Sequence, residues 1–355
     1  MIVLLLVSID QIVYFIKNKD MADHEFITQY RHGGLIDTYH KPSKAIIKVA
    51  NEYLYKSKVK FQTNSDGAIL PLGGKGEKRV FFIGGSTTEN HWVPDTERWP
   101  YLVGESKLLS DKITTYNFGV GGYNIHQNFQ KFYALLSRLE PDYVVLMNQI
   151  NDIGKGLNGG YYNVIDDVPL HNSFEIKNNK ISIKLKFKKL AKSIMPSTYN
   201  ILNNLKQSSV SRKPGNYKKN DLEQTLSNYL NRLDLFKKFT DHLNIELIVM
   251  TQPNVSQQLL LADQKNQNTF LYLKQLILDK GMTIDEYLFT INLFNESLKE
   301  FSIKNNVNLI DLKHFLALEE QYFYDSIHYT REGSKAVANI VSFELNKIIM
   351  NKNVN

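Results

Sequence analysis

The chain has 355 residues, with 43 Lys and Arg against 36 Asp and Glu, and it contains no cysteine. The length suffices for a large hydrophobic core, while the lack of cysteine excludes disulfides, thiolate nucleophiles and thiolate metal sites. Twelve of the basic residues lie between Lys177 and Lys219, where there is no acidic residue, and the remainder is mildly acidic, with 31 basic and 36 acidic residues. The net charge of +7 therefore belongs to one segment and does not indicate general affinity for nucleic acid. That segment is either a solvated face or a contact for an anionic glycan or a membrane headgroup.

The first sixteen residues are strongly apolar, although Asp10 and Gln11 interrupt them. The run is short for a membrane span, and it lacks the basic start and the small-residue cleavage site of a signal peptide. We interpret residues 1–19 as a possible membrane anchor in which residues 2–16 contact the membrane. A buried or amphipathic helix is the alternative. Two lysines follow the run and would favour a cytoplasmic side for the chain beyond it.

Residues 20–78 form an N-terminal extension before the chain becomes regular. The apolar residues between Ser43 and Tyr55 have helical spacing and predict a helix there. The stretch from Gln62 to Lys78 is rich in Gly, Asn, Ser and Pro, which predicts a loop or a short hairpin.

From residue 80 onward, short apolar runs alternate with longer amphipathic segments. The predicted strands are Val80–Ile83, Ile113–Asn117, Tyr143–Met147, Ile245–Met250 and Val307–Leu312. The predicted helices are Trp99–Leu109, His126–Leu139, Asp221–His242, Asp285–Asn305 and a last one from Thr330 or Arg331 to Ile349. Such alternation implies βαβ units, and it predicts a three-layer α/β/α sandwich around a five-stranded parallel sheet.

Two stretches interrupt this alternation within residues 79–355. Residues of about 155–216 contain the basic segment and an alternating pattern around Asn178 and Asn179 that is typical of a hairpin, so we interpret them as an inserted subdomain. Residues of about 254–283 are polar and predict a cap over the edge of the sheet.

Polar residues follow the carboxyl ends of several predicted strands, and this is the edge where open α/β sheets bind ligands. Ser86 comes directly after a buried strand and Gly84-Gly85, within the run R-V-F-F-I-G-G-S-T-T. The other loops carry Gly121-Gly122, Asn151-Asp152 and the sequence D-S-I-H from Asp325 to His328. Each loop alone could be an ordinary turn or helix cap.

Together these loops supply the groups that acyl transfer needs. A serine hydroxyl is a weak nucleophile until a base removes its proton, and His328 is a suitable base. Asp325 lies three residues earlier and can orient the imidazole and stabilise its charged form. The backbone N–H groups of Ser86 and Gly122 and the side-chain amide of Asn151 are candidate donors to an oxyanion, with Gly121 as the alternative to Gly122.

Other polar residues are weaker candidates for the functional site. His91 could line the rim of the site or cap a turn, and His126 is similar. Gln252 ends a predicted strand, so it either faces substrate or is a surface amide. Asp152 is expected to hydrogen-bond its loop. The histidines show no metal-ligand spacing, and the glycine-rich turn lacks the pattern of a phosphate loop, so we expect neither a metal nor another cofactor.

Four ordered blocks resemble the SGNH, or GDSL-like, hydrolase family over about residues 80–152 and 245–349. These blocks are G-G-S-T-T with Ser86, N-F-G-V-G-G with Gly122, Q-I-N-D with Asn151, and D-S-I-H with Asp325 and His328. The resemblance implies a flavodoxin-like fold and a serine esterase with these residues in its site. The chain departs from the common pattern where Gly85 replaces an Asp and where Tyr329 replaces a Pro.

With these departures the chain is more similar to the G-G-S-T branch of the family, whose members are often envelope proteins that act on glycans. The resemblance therefore implies hydrolysis of acyl esters, O-acetyl groups above all, on a cell-envelope or secreted polysaccharide, with the catalytic domain outside the cytoplasm. The alternatives are an O-acyltransferase that uses the same acyl-enzyme, a non-catalytic glycan-binding module, and a cytoplasmic location.

Overall fold

The computed structural model describes residues 44–48, 58–157, 219–255 and 282–352. The predicted anchor at residues 1–19, nearly all of the insertion of about 155–216 and most of the cap of about 254–283 lie outside these residues. Within the described ranges, no helix combines the length and the apolar character needed to cross a membrane.

The main sheet has six strands, and five of them are parallel. In chain order the strands of the described residues are β1 (Lys44–Lys48), β2 (Lys58–Gln62), β3 (Ile69–Gly73), β4 (Lys78–Gly84), β5 (Ile113–Asn117), β6 (Tyr143–Met147), β7 (Glu246–Met250) and β8 (Asn308–Ile310). The spatial order in the main sheet is β3-β5-β4-β6-β7-β8, with β3 antiparallel to β5. The predicted parallel α/β sheet is confirmed, and β3 adds an antiparallel edge strand to it.

Within the described residues helices follow the strands as the alternation predicts, although the helix expected to reach Leu109 ends at Gly104 and the one expected to reach Leu139 becomes a π-helix at Phe132. They are α1 (Ser86–Glu89), α2 (Trp99–Gly104), α3 (Ile125–Lys131), α4 (Ile150–Gly156), α5 (Lys219–His242), α6 (Ile284–Lys304), α7 (Leu312–Phe315) and α8 (Arg331–Lys352). Helix α2 packs on α8, while α3, α4 and α6 each pack on α5. Right-handed crossovers place the two groups on opposite faces of the sheet, which gives the three predicted layers.

The centre of the sheet is β4, and its sequence explains its position. Val80, Phe81, Phe82 and Ile83 are all fully buried because β5 and β6 flank the strand and helices cover both of its faces. Such a continuous apolar run is typical of a central parallel strand. The strand therefore fixes the position of the residues that follow it, beginning with Gly84.

The N-terminal extension differs from its prediction. The helix expected from Ser43 to Tyr55 is wrong for residues 44–48, which form β1 and pair antiparallel with β2. The apolar spacing of this short run, which contains adjacent β-branched residues, fits a helix or a strand. Pairing with β2 supplies the backbone hydrogen bonds that favour the strand. The stretch from Gln62 to Lys78, expected to be a loop or a short hairpin, contains the edge strand β3, and Thr63 forms an antiparallel bridge with Ile69.

A second, smaller apolar cluster joins this extension to the main domain. It contains Val59, Phe61, Ile69, Val120 and Tyr123, with Trp92 and Tyr324 packed against it. The buried guanidinium of Arg98 donates to the carbonyl oxygens of Lys60 and Leu70 and lies over the Phe61 ring. Burial lowers the pKa of Arg98 to about 10, which still leaves it charged at neutral pH. Strands β2 and β3 are thus fastened beside the loop that follows β5.

Candidate active site

The turn between β4 and α1 presents Ser86 at the carboxyl edge of the sheet. Ser86 is the first residue of α1, and Gly85 before it has an extended backbone with φ of −88°. The turn needs glycines because neighbouring groups occupy the space of a side chain. A Cβ atom on Gly84 would lie 2.2 Å from the hydroxyl of Thr88, and one on Gly85 would lie 2.4 Å from Nδ2 of Asn151.

A continuous chain of hydrogen bonds connects Ser86 with the D-S-I-H loop. The Oγ atom of Ser86 is 2.6 Å from Nε2 of His328, and Nδ1 of His328 is 2.5 Å from Oδ2 of Asp325. The other carboxylate oxygen of Asp325 accepts the backbone N–H groups of Ile327 and His328 at 2.9 and 2.8 Å. This local turn explains the three-residue spacing, since it folds the imidazole back onto the carboxylate.

The surroundings of Asp325 favour its ionised form. Burial by itself would raise the pKa of this carboxyl, but the attraction of His328 and the hydrogen bonds from His328 and Ile327 outweigh burial and lower the pKa. The ring of Tyr324 stacks on the imidazole with 5.4 Å between centroids and 10° between planes. The imidazole is therefore held at its edge by a carboxylate and on its face by an aromatic ring.

The ionised Asp325 carboxylate makes stability depend on pH. Its pKa in the folded state is below the ordinary value of 3.8, so its contribution to stability is complete above pH 3.8 and is lost as the pH falls through the lowered pKa. We expect the difference in unfolding free energy between the wild type and Asp325→Asn to shrink below pH 3.8. Denaturant unfolding at a series of pH values would measure this, and a difference that is the same at neutral and acidic pH would contradict it.

The candidate oxyanion donors lie in two neighbouring loops. Asn151 is the second residue of α4, and its Nδ2 atom donates to the carbonyl oxygen of Tyr123 at 2.9 Å. That bond uses one of the two N–H groups of the amide, and it places the amide against Gly85. Gly122 has a φ of +81°, in the left-handed region that glycine favours, and no atom lies within 4 Å of its missing Cβ position.

The turn that contains Gly122 is tied to the end of β4. The N–H of Val120 donates to the carbonyl oxygen of Gly84 at 3.0 Å, and the N–H of Tyr123 donates to that of Val120 at 3.1 Å. Gly119 comes so close to α1 that a Cβ atom on it would lie 2.3 Å from the backbone nitrogen of Glu89. The glycine-rich loop therefore lies directly beside the helix that carries Ser86.

Replacing Gly85 by alanine is expected to lower kcat by about 10- to 100-fold, because the added methyl group displaces the Asn151 amide. Steady-state hydrolysis of p-nitrophenyl acetate would measure the change. The same substitution in an Asn151→Ala background is the control, since the amide it would displace is then absent. An equal loss in both backgrounds would show that Gly85 acts on something other than Asn151.

The remaining predicted residues lie away from this relay. Nδ1 of His91 is 2.9 Å from the buried carboxylate of Glu89, and its ring packs on Trp92, so the structure pairs Ser86 with His328 and not with His91. Gln252, expected to face substrate or solvent, is 3% exposed, and its amide hydrogen-bonds within the protein.

The last two candidates from the sequence are Asp152 and His126. The carboxylate of Asp152 accepts the N–H of Ile125 with both oxygens, at 3.1 and 3.3 Å, so it holds the start of α3. Burial, aided by Arg232 and Lys155, lowers the pKa of His126 to about 4, which keeps its ring neutral at neutral pH. No group of three or more His, Asp or Glu suited to a metal ion occurs among the described residues.

Sequence reasoning missed Tyr324 and Asn295. Tyr324 precedes D-S-I-H directly, and its stacking on His328 depends on a loop geometry that the sequence does not reveal. Asn295 lies on the buried face of α6 together with Ile291, Phe294 and Leu298 and is fully buried itself. A polar residue at an apolar helical position was the available signal, because a buried amide requires partners.

Comparison with known proteins gives one match to a family and several to structures. The family described as GDSL-like Lipase/Acylhydrolase matches residues 80–341, a range that includes Ser86, Asn151, Asp325 and His328. A GDSL-like lipase from Bacteroides thetaiotaomicron is 13% identical with a TM-score of 0.42, over 77% of this chain and 89% of that one. An acetylxylan esterase from Geobacillus stearothermophilus is 12% identical with a TM-score of 0.42, over 76% of this chain and 94% of that one. No curated protein matches the chain.

Proposed function

The chain belongs to the GDSL-like lipase/acylhydrolase family, and from this premise we propose that Ser86, His328 and Asp325 hydrolyse an acyl ester through a covalent acyl-enzyme. The observation that carries the proposal is the continuous relay from Ser86 Oγ through both nitrogens of His328 to Asp325, at 2.6 and 2.5 Å. These distances suit a nucleophile, its base and the group that orients the base.

In the first half of the proposed reaction, Nε2 of His328 accepts the proton of the Ser86 hydroxyl while Oγ bonds to the ester carbonyl carbon. The electron pair of the carbonyl π bond moves onto its oxygen and gives a tetrahedral oxyanion. Asp325 keeps the Nδ1–H of His328 pointing toward its carboxylate and stabilises the positive charge on the imidazole. The lowered pKa of Asp325 keeps this carboxylate ionised at neutral pH.

We assign the backbone N–H groups of Ser86 and Gly122 and the amide of Asn151 to the developing oxyanion. Fixed donors of this kind stabilise the transition state more than the ground state. The close packing of Asn151 on Gly85 supports the assignment, since it holds the amide one residue from the nucleophile. The open space at Gly122 is consistent with a carbonyl group approaching that turn.

The second half of the proposed reaction restores the enzyme. The oxyanion collapses, the bond to the leaving alcohol breaks, and His328 gives its proton to the departing oxygen. Water then attacks the acyl-enzyme with His328 again as the base, and the carboxylic acid leaves with Ser86 regenerated.

We propose O-acetyl groups of a cell-envelope or secreted polysaccharide as the substrate, with the enzyme acting at the envelope. The G-G-S-T block with Ser86 supports this substrate through its resemblance to glycan-acting relatives. Tyr324 adds support, since its ring stacks on the imidazole of His328. Aromatic rings with one polar end suit ligands that are partly apolar and partly hydrated.

Labelling with a fluorophosphonate, followed by mapping of the modified peptide, tests the nucleophile. We expect a single adduct on Ser86 and none after Ser86→Ala. If the wild-type protein stays unlabelled under conditions that label a known serine esterase, the proposed mechanism is wrong.

Acetate release from an O-acetylated polysaccharide, compared with the same polymer after chemical deacetylation, tests the substrate. Turnover of p-nitrophenyl acetate with added glycan tests the competing transferase. Acetylated glycan appearing in place of free acetate would show that the acyl-enzyme passes its group to a sugar instead of water.

A further inference from the structure

We propose that Gln252, held in place by Asn295, is a positioning residue that fixes the Ser86 helix and the Asn151 helix relative to each other. This inference rests on the roles proposed above for Ser86 and Asn151. Gln252 follows β7, and its side chain hydrogen-bonds to the chain neighbour of each of these two residues.

The side-chain amide of Gln252 connects the two helices directly. Its Oε1 atom accepts the backbone N–H of Ile150 at 3.1 Å, and its Nε2 atom donates to Oγ1 of Thr87 at 3.3 Å. Ile150 precedes Asn151, and Thr87 follows Ser86. One planar amide group therefore sets the distance between the helix that carries the nucleophile and the helix that carries the oxyanion donor.

Helix α4 depends on this contact because it lacks a local cap. The residue before its first turn is Gln149, which makes no capping hydrogen bond with its side chain and donates instead to the carbonyl oxygen of Met250 at 3.2 Å. The N–H groups in the first turn of a helix have no acceptor within the helix. For Ile150 the acceptor comes from Gln252, about a hundred residues further along the chain.

Asn295 in turn fixes the backbone of Gln252. Its Oδ1 atom accepts the N–H of Gln252 at 2.9 Å, and its Nδ2 atom donates to the carbonyl oxygen of Gln252 at 3.0 Å. Both residues are buried, at 0% and 3% exposure. A buried amide is costly unless its groups are paired, and this pairing holds the backbone from which the side chain of Gln252 reaches Thr87 and Ile150.

Loosening this connection is expected to affect the rate more than substrate binding. A misplacement of about 1 Å between reacting groups costs on the order of 100-fold in rate. Oxyanion donors act mainly in the transition state, so their misplacement lowers kcat and leaves KM nearly unchanged. A fall in kcat with a nearly unchanged KM therefore distinguishes a positioning role from a general loss of structure.

The test replaces Gln252 by methionine, which keeps the length of the side chain and removes its amide. We expect kcat for p-nitrophenyl acetate to fall by about 10- to 100-fold, with KM little changed and with slower fluorophosphonate labelling. The matched control is Asn308→Leu, which removes the hydrogen bond from Asn308 to Glu246 at the opposite end of β7. That variant should lower Tm without lowering kcat.

A double-mutant cycle shows whether Asn295 acts through Gln252. Asn295→Leu alone should lower kcat, and in the Gln252→Met background it should cause no further loss. If Gln252→Met does not fold, Thr87→Val removes only the acceptor of the Gln252 amide and should give the same loss of kcat. Independent, multiplicative losses would overturn the connection between the two residues.

The inference and the proposed mechanism can fail separately. If Ser86→Ala is inactive while Gln252→Met keeps its full kcat, the positioning role is wrong and the mechanism stands. If kcat falls in proportion to Tm in both Gln252→Met and Asn308→Leu, the positioning role of Gln252 is also wrong. If Ser86→Ala keeps its activity, the proposed mechanism itself is wrong.

Discussion

Ser86→Ala is expected to lower kcat by about 10⁴- to 10⁶-fold, at least as much as any other substitution that we propose. The variant lacks the atom that would form the proposed acyl-enzyme, and His328 then has no hydroxyl to activate. Ser86 lies at the surface end of a short helix, and the change removes one oxygen, so the fold should remain intact. Hydrolysis of p-nitrophenyl acetate and the extent of fluorophosphonate labelling measure the two consequences.

Ser342→Ala serves as the matched control for this prediction. Ser342 is buried on α8, and its hydroxyl has no hydrogen-bond partner among the described residues. Loss of that hydroxyl should leave both kcat and labelling unchanged. Residual turnover of Ser86→Ala above about one per cent of the wild-type value would mean that another group carries the reaction.

Asp325→Asn is expected to lower kcat by about 10⁴-fold with a small change in KM. The amide oxygen can still accept the N–H groups of Ile327 and His328, which preserves the loop. The amide nitrogen, however, would face Nδ1 of His328 and favour the tautomer that carries its proton on Nε2. His328 could then no longer accept the proton of Ser86.

The control for this variant is Asp142→Asn. Asp142 also accepts a backbone N–H, that of Arg79 at 2.7 Å, but it lies at the amino end of the sheet. Its replacement should affect stability and leave kcat unchanged. A loss of kcat in Asp325→Asn that is no greater than in Asp142→Asn would show that the Asp325 carboxylate only supports the loop.

The parts of the fold that could be predicted from sequence are those set by local pattern. The central strand at Val80–Ile83 is apolar throughout, and its ending in Gly84-Gly85 marks the turn to Ser86. The distance of three residues between Asp325 and His328 also implies local contact. Parallel strands then bring these loops to one edge, so the meeting of Ser86 with His328 follows from topology.

What could not be predicted depends on contacts between distant segments. Strand β3 contains Pro71 and ends in glycine, which is typical of a loop, but an edge strand needs only the one partner that β5 supplies. Helix α4 begins at Ile150 without a local cap signal, because its cap is Gln252. The side chain of Gln252 hydrogen-bonds to Thr87 and Ile150 inside the protein, and Asn295 on α6 holds its backbone.

The small cluster around Phe61 has a consequence for where an autonomous fragment could begin. A fragment starting at residue 79 would leave out β2 and β3, uncover one edge of β5, and expose the apolar side chains of Val120 and Tyr123. The carbonyl of Tyr123 is the group that receives the Asn151 amide. The smallest fragment that keeps this loop and its proposed oxyanion donor in their packed position therefore has to start before residue 59, well upstream of the first parallel strand.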